Sequence, residues 1–380
     1  MSNMLIINDD KQFGASDGTS NIRRTKAAEG TGPFNWRKAL KTRAAQTITL
    51  LGGLVFSVQV ATAAGTVSSA GALGTQQVER HVQSVYFKNG AIRMAGNLYL
   101  PEDFDKNKKY AAIIVAHPGG GVKEQTAGLY AQKLAKQGFI TLAFDASHQG
   151  ESGGEPRFLE NPTERVEDIR SGVDYLTTLP FVAQDRIGAL GICAGGGYTI
   201  NAAMTEHRIK AVGTVSAVDV GLTTRKGWNG DAPVSEQLKL LVAVAKQRSA
   251  EANGAAPLYV NYVPLPDAQT PRDLREAYEY YRTPRGQHPN STNQLLFTSI
   301  DKNIAFSAFN QMGDLLTQPL LLIAGSDAGS LWQSRQAYEL ANGQKELFVV
   351  NGATHMTLYD QPEHVEQAVQ KLSPFFKSNL

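Results

Sequence analysis

Three residues offer this sequence a way to do chemistry, each just after a short apolar run: Cys193, Asp327 and His355. Cys193 is the chain's only cysteine and lies in Gly191-Ile192-Cys193-Ala194-Gly195-Gly196-Gly197. Residues 186–192 (RIGALGI) read as a buried strand and the segment from Gly196 to about Glu206 as a helix, so the thiol falls on the turn between them. A strained strand-to-helix elbow presents a nucleophile and needs small residues two positions to either side, which Gly191 and Gly195 provide. A helix N-terminus and a nearby imidazole favour the thiolate. His355 would take the thiol proton and return it to a leaving group, while Asp327 would fix the tautomer and stabilise the imidazolium. The oxyanion needs donors, for which the backbone N–H of Ala194 and one from Gly119 or Gly120 are available. Pro118 has no N–H and cannot serve.

The same turn has plainer readings. A lone cysteine is often a small buried hydrophobe, and a glycine-rich turn can cradle phosphate. A dinucleotide site, however, wants G-x-G-x-x-G early in a βαβ unit, with an acidic residue about 20 positions on. Here the glycines are consecutive and late. One cysteine forms no internal disulfide, and no Cys/His cluster offers a structural zinc site, so neither a metal nor an organic cofactor is expected. Among the seven histidines, His117 and His148 sit on strand-end loops and are candidates either to line a substrate pocket or to stabilise those loops. His81, His207, His288 and His364 read as surface or cap residues. Asp145 ends a strand ahead of the elbow and is expected to anchor its own loop, and Asp360 lies beyond His355 toward the last helix.

The elements that would position these residues alternate. Runs 82–88 and 92–101 flank Asn89-Gly90, the strongest short hairpin signal. Strands then follow at 110–117, 139–145, 186–192 and 209–216, separated by helical patterns from Gln125 and from Asn161. Asn161 is an N-cap, Pro162 the first helical residue and Glu164 stands three after the cap, with Val166, Ile169, Val173 and Leu176 on one face. Strand-helix alternation means a mostly parallel sheet with helices on both faces, which binds ligands at the C-terminal ends of its strands. Between residues 217 and 318 the alternation stops. That interval far exceeds an ordinary connection and is rich in aromatics, including Trp228, Tyr262, Tyr280 and Tyr281. It reads as a helical cap inserted into a core of residues 81–216 and 319–380. Its aromatics would either line an apolar pocket or fill the cap's own small core.

Residues 1–63 differ from the rest. Arg37, Lys38, Lys41 and Arg43 precede the mainly apolar 44–60, which ends near Ala61-Thr62-Ala63. This is the pattern of an export signal with a long polar n-region, followed by a linker at 64–80. It predicts a periplasmic or secreted protein, with membrane attachment only through an uncleaved segment. These 63 residues hold eight of the chain's 37 Lys/Arg and four of its 35 Asp/Glu. The remainder therefore carries 29 and 31, a formal charge of −2. With no basic stripe, nucleic acid is excluded as an expected partner. A small acyl compound is the expected one.

The runs HPGGG, ENPTERVEDIRSGVDYLTTLP, RIGALGICAGGGY and GATHMTLYD together resemble α/β-hydrolases of the dienelactone-hydrolase-like group. The nearest likeness is to bacterial hydrolases labelled as DltD N-terminal domain proteins and to fungal polyketide acyltransferases and thiohydrolases. The resemblance covers about residues 80–380. It implies an α/β-hydrolase fold and a Cys-His-Asp triad on Cys193, His355 and Asp327. Dienelactone hydrolases proper lack so long an insertion, so their substrate is not implied. The expected function is cleavage of an ester or thioester through an acyl-cysteine. The alternatives are acyl transfer to an alcohol or amine, and ligand binding without catalysis on the same fold.

Overall fold

The Asn89-Gly90 signal forms the expected hairpin: β1 (Val82–Asn89) pairs antiparallel with β2 (Ile92–Tyr99), and Gly90 takes a φ of 53° in the turn. The computed structural model describes residues 81–380, so the expected export signal and linker lie outside the described residues. After the hairpin come β3 (Tyr110–Ala116), α1 (Thr126–Ala135), β4 (Ile140–Phe144), α2 (Pro162–Thr178), β5 (Val182–Ile192), α3 (Ala194–Ala203) and β6 (Ile209–Val215). The insertion holds α4 (Val220–Lys226), α5 (Val234–Ala252), β7 (Tyr259–Asn261), α6 (Arg272–Arg282), β8 (Gln294–Leu296), α7 (Ile300–Ala305) and α8 (Met312–Leu315). β9 (Leu320–Gly325), α9 (Leu331–Leu340), β10 (Lys345–Val350), α10 (Thr357–Asp360) and α11 (Pro362–Asn379) finish the chain.

Eight strands form one sheet in the order β1-β2-β4-β3-β5-β6-β9-β10. Only the contacts of β2 with β1 and β4 are antiparallel. β6 and β9 are parallel neighbours, so the insertion interrupts the sheet's chain order without breaking its ladder. The central strands read as continuous apolar runs because both faces are covered. On one face α2, α3 and α9 bury Val166, Ile169, Tyr198 and Ala337. On the other, α1 and α11 bury Tyr130, Leu134, Leu372 and Phe376. Each fully buried large apolar side chain contributes about 1.5–3 kcal/mol. Cys193 packs against both clusters, as a residue at the end of a central strand must.

The cap is tied to the core by buried and half-buried polar contacts. Arg285 makes a bidentate pair with Asp360 at 2.7 and 2.8 Å, Gln125 Nε2 donates to the Gly286 carbonyl and Ser291 Oγ donates to that of Gly120. Only Val244, Phe297 and Ile300 form a separate small core in the insertion. Tyr280 and Tyr281 instead pack with Tyr359 in the main core, which puts the cap's aromatics over the strand ends. No helix among the described residues is long and apolar enough to cross a membrane.

Candidate active site

The elbow forms where β5 gives way to α3, with Cys193 as the helix N-cap at φ 55°, ψ −122°. A positive φ at a non-glycine residue costs on the order of 1–3 kcal/mol and persists only where its surroundings enforce it. Close packing does so here. A Cβ on Gly191 would fall 2.2 Å from the Gly195 carbonyl oxygen, and one on Gly195 would fall 2.4 Å from that of Ala116. The sulfur is half-buried, with the Tyr359 hydroxyl and the backbone N–H groups of Ala194 and Gly119 facing it. Ala194 and Gly119 are thus brought together as an oxyanion site would require. Gly120 is not. It takes φ 68°, its carbonyl is held by Ser291, and the ring of Tyr262 covers it. Burial pushes the Cys193 thiol above its ordinary range, against the smaller opposing pull of these donors and the Arg165 guanidinium.

His355 stands at the same strand edge, fully enclosed. Its Nδ1 lies 2.7 Å from Ser330 Oγ and its Nε2 3.2 Å from the Tyr359 hydroxyl, while the edge of Trp228 meets its ring at 5.0 Å. With no carboxylate beside it, burial lowers its pKa to about 3. Thiol and imidazole are therefore both neutral at rest.

Asp327 is not the imidazole's partner. The backbone after β9 follows the β10 loop, with Ser326 N bonded to the Val350 carbonyl and Asp327 N to that of Ala353, which turns the Asp327 side chain outward. Its carboxylate is exposed, accepts from Ser326 Oγ at 2.9 Å and lies 3.8 Å from Arg272. The residue turned inward is Ser330, three positions on. Its loop is drawn toward the cap by Asp273, whose Oδ2 accepts from both Gly329 N (2.7 Å) and Trp228 Nε1 (3.0 Å). Asp327→Asn is thus expected to leave kcat/KM within roughly twofold, as exposed substitutions do. Ser330→Ala, by removing a buried hydrogen bond of about 1–2 kcal/mol, lowers it roughly tenfold. Steady-state kinetics on the two variants check the contrast.

The pocket histidines also take other places. His117 is fully buried, with Nδ1 on the Pro118 carbonyl at 2.6 Å and Nε2 accepting from Ala146 N at 3.0 Å, which locks the ends of β3 and β4 together. His148 ties its loop to α2, with Nδ1 on the Pro156 carbonyl and Nε2 on Glu164 Oε2, both at 2.9 Å. Neither has a free nitrogen to offer a substrate. The second contact also redirects Glu164, so the helix start rests on Asn161 accepting from Thr163 N alone. Asp145 does hold its own loop, through Lys123 Nζ and the N–H groups of Lys123 and Glu151. Ser330, Tyr359 and Tyr262 are site residues that spacing did not reveal, because serine and tyrosine near strand ends are ordinary packing residues.

The Dienelactone hydrolase family model matches residues 94–220, the stretch from β2 through the elbow to α4. Over 294 residues the chain is 46% identical to the Escherichia coli protein YcjY, covering 77% of this chain and 96% of that one. The crystal structure of hypothetical protein PA2218 from Pseudomonas aeruginosa is 36% identical and superposes with a TM-score of 0.74, covering 79% of this chain and 94% of that one. Polyketide transferase claH of Penicillium crustosum is 25% identical over 276 residues, 70% of this chain and 87% of that one. Sheet order, elbow and sequence kinship agree that the chain belongs to the dienelactone-hydrolase-like α/β-hydrolases.

Proposed function

We propose that this hydrolase cleaves a thioester or carboxylic ester through an acyl-cysteine on Cys193. The observation that carries the reading is the strained elbow, which holds the Cys193 sulfur where the N–H groups of Ala194 and Gly119 converge. Attack by sulfur on a carbonyl places negative charge on the carbonyl oxygen, and two fixed backbone donors beside the sulfur stabilise that charge without reorganising. His355, neutral and held through Nδ1 by Ser330, takes the thiol proton during attack. The C–S or C–O bond to the leaving group then breaks and the leaving group receives that proton. Water attacks the acyl-cysteine, gives one proton to the histidine, and the acid departs as sulfur regains its proton.

Burial of both partners bears on substrate choice. A thiol that is neutral at rest must lose its proton as it attacks, so the reaction suits acyl groups with good leaving groups. Among matched substrates the expected order of kcat/KM is thioester, then aryl ester, with amides cleaved least. Faster turnover of the amide would overturn the assignment.

A second reading is acyl transfer. Tyr262 and Tyr281 of the cap lie beside Cys193, where they narrow its access to water, and a relative is named a polyketide transferase. Adding alcohol or amine acceptors to the same assays distinguishes the two, because ester or amide product in place of acid moves the reading to transfer.

A further inference from the structure

We propose that Tyr359 is a catalytic residue, the relay through which the Cys193 proton reaches His355. The inference rests on the acyl-cysteine reading above. Among the described residues no hydrogen bond joins the sulfur to the imidazole, and the buried imidazole feels only its desolvation. The Tyr359 hydroxyl lies 3.2 Å from Nε2, and its ring belongs to the cluster against which Cys193 packs, so the hydroxyl is the group within reach of both.

The sequence sets up this bridge locally. His355 lies just before Met356, the N-cap of α10, and Tyr359 lies within that single turn, so the entry of the chain into the turn brings the two side chains together with ring centroids 5.5 Å apart. The tyrosine ring is then held on every side. Tyr280 and Tyr281 meet it edge-on at 5.4 and 6.5 Å, Tyr130 donates to the carbonyl of Leu358 at 2.8 Å, and Asp360 is clamped by Arg285. A phenol held at the imidazole and packed beside the thiol is placed for proton transfer. The plainer alternative is a core tyrosine whose hydroxyl merely finds partners, and that role has no effect on proton movement.

The relay balances. As sulfur attacks the carbonyl carbon, the S–H proton passes to the phenol oxygen and the phenol's own proton passes to Nε2. The result is a C–S bond, an oxyanion, a neutral tyrosine and an imidazolium. Collapse of the oxyanion breaks the bond to the leaving group, which collects a proton as the sequence runs backward from Nε2 through the phenol. Burial holds the phenol well above its ordinary range, so it works as a neutral conduit and not as a phenolate. The other groups facing the sulfur are the Tyr281 and Tyr262 hydroxyls of the cap and the Arg165 guanidinium of α2.

The test compares wild type with Tyr359→Phe and, as a neighbouring control, Tyr280→Phe, whose ring meets that of Tyr359 edge-on. Two readouts are used: single-turnover acylation by an aryl ester, and alkylation of Cys193 by iodoacetamide as a function of pH. Tyr359→Phe is expected to slow acylation about 10–100-fold with little change in KM. Loss of the hydroxyl from the sulfur also moves its alkylation profile upward by about one pH unit. Tyr280→Phe, whose hydroxyl is turned toward Asp360 and the backbone of Thr126, leaves the profile in place. Wild-type acylation in Tyr359→Phe, with or without a shift of the alkylation profile, would overturn the relay. Alkylation needs no substrate, so a shifted profile in a protein that forms no acyl adduct would refute the acyl-cysteine reading and not the Tyr359 contact. Should the Phe variant fail to fold, the wild-type acylation rate in H2O/D2O mixtures decides. A curved dependence, two protons in flight, supports the relay, and a linear one, a single proton, overturns it.

Discussion

Cys193→Ala is expected to lower ester and thioester turnover by roughly 10⁴-fold or more, because no other group can form the acyl intermediate and nucleophile loss removes the catalytic unit as a whole. The fold should survive. The side chain is half-buried, alanine is smaller, and the strained backbone is enforced by Gly191, Gly195 and Ala116 and not by the sulfur. Thermal unfolding should therefore shift by no more than about 1 kcal/mol. Measured turnover within tenfold of wild type would mean that the elbow is packing, as a lone cysteine so often is.

The second large effect belongs to His355. Replacing it with Gln removes the general base and is expected to cost about 10²–10⁴-fold in kcat/KM. Its environment also fixes the pH dependence. A base works in its unprotonated form, and with a pKa of about 3 that form persists to about pH 4. The raised thiol adds no ionisation below its ordinary range. The pH profile of kcat/KM should thus stay level from about pH 5 through neutrality, wherever the protein remains folded, and show no acid limb near the ordinary imidazole pKa of about 6.5. A limb there would mean that a carboxylate stabilises the imidazolium, and would return Asp327 to the site.

Stability has its own pH dependence from the same residue. The unfolded chain binds the imidazole proton at about pH 6.5 and the folded one only near 3, so the stability linked to neutral His355 is full above pH 6.5 and is lost as pH falls through that window. Asp168, pushed up to about 6 by burial, acts in the opposite sense by binding its proton in the folded state first.

Much of this site was legible because its demands are local. Only glycine fits at 191 and 195, and only a strand-to-helix turn brings Ala194 N–H to the sulfur, so composition and spacing suffice for the elbow. The hairpin at Asn89-Gly90 and the start of α2 at Asn161-Pro162 were legible for the same reason. The acid loop is different. Ser326, Asp327 and Ser330 all lie close after β9, and which of them turns inward depends on backbone bonds to Val350 and Ala353 from another strand's loop. For His117 and His148 spacing left pocket lining and loop stabilisation both open, and the structure shows them holding loops, because their partners, Ala146 N and Glu164, are set by how the loops fold back and not by spacing. Tyr359 was hidden in plain view: a tyrosine on a helix reads as core, and only the sulfur on its far side makes it more.

Catalysis through Cys193 requires a covalent bond to one sulfur, and intact-protein mass spectrometry after rapid quench from an aryl ester or thioester measures it directly. A single acyl adduct is expected, mapping to the peptide containing Cys193 and absent from Cys193→Ala. Turnover of the same substrates with no adduct on Cys193, or with the acyl group on another residue, would contradict it.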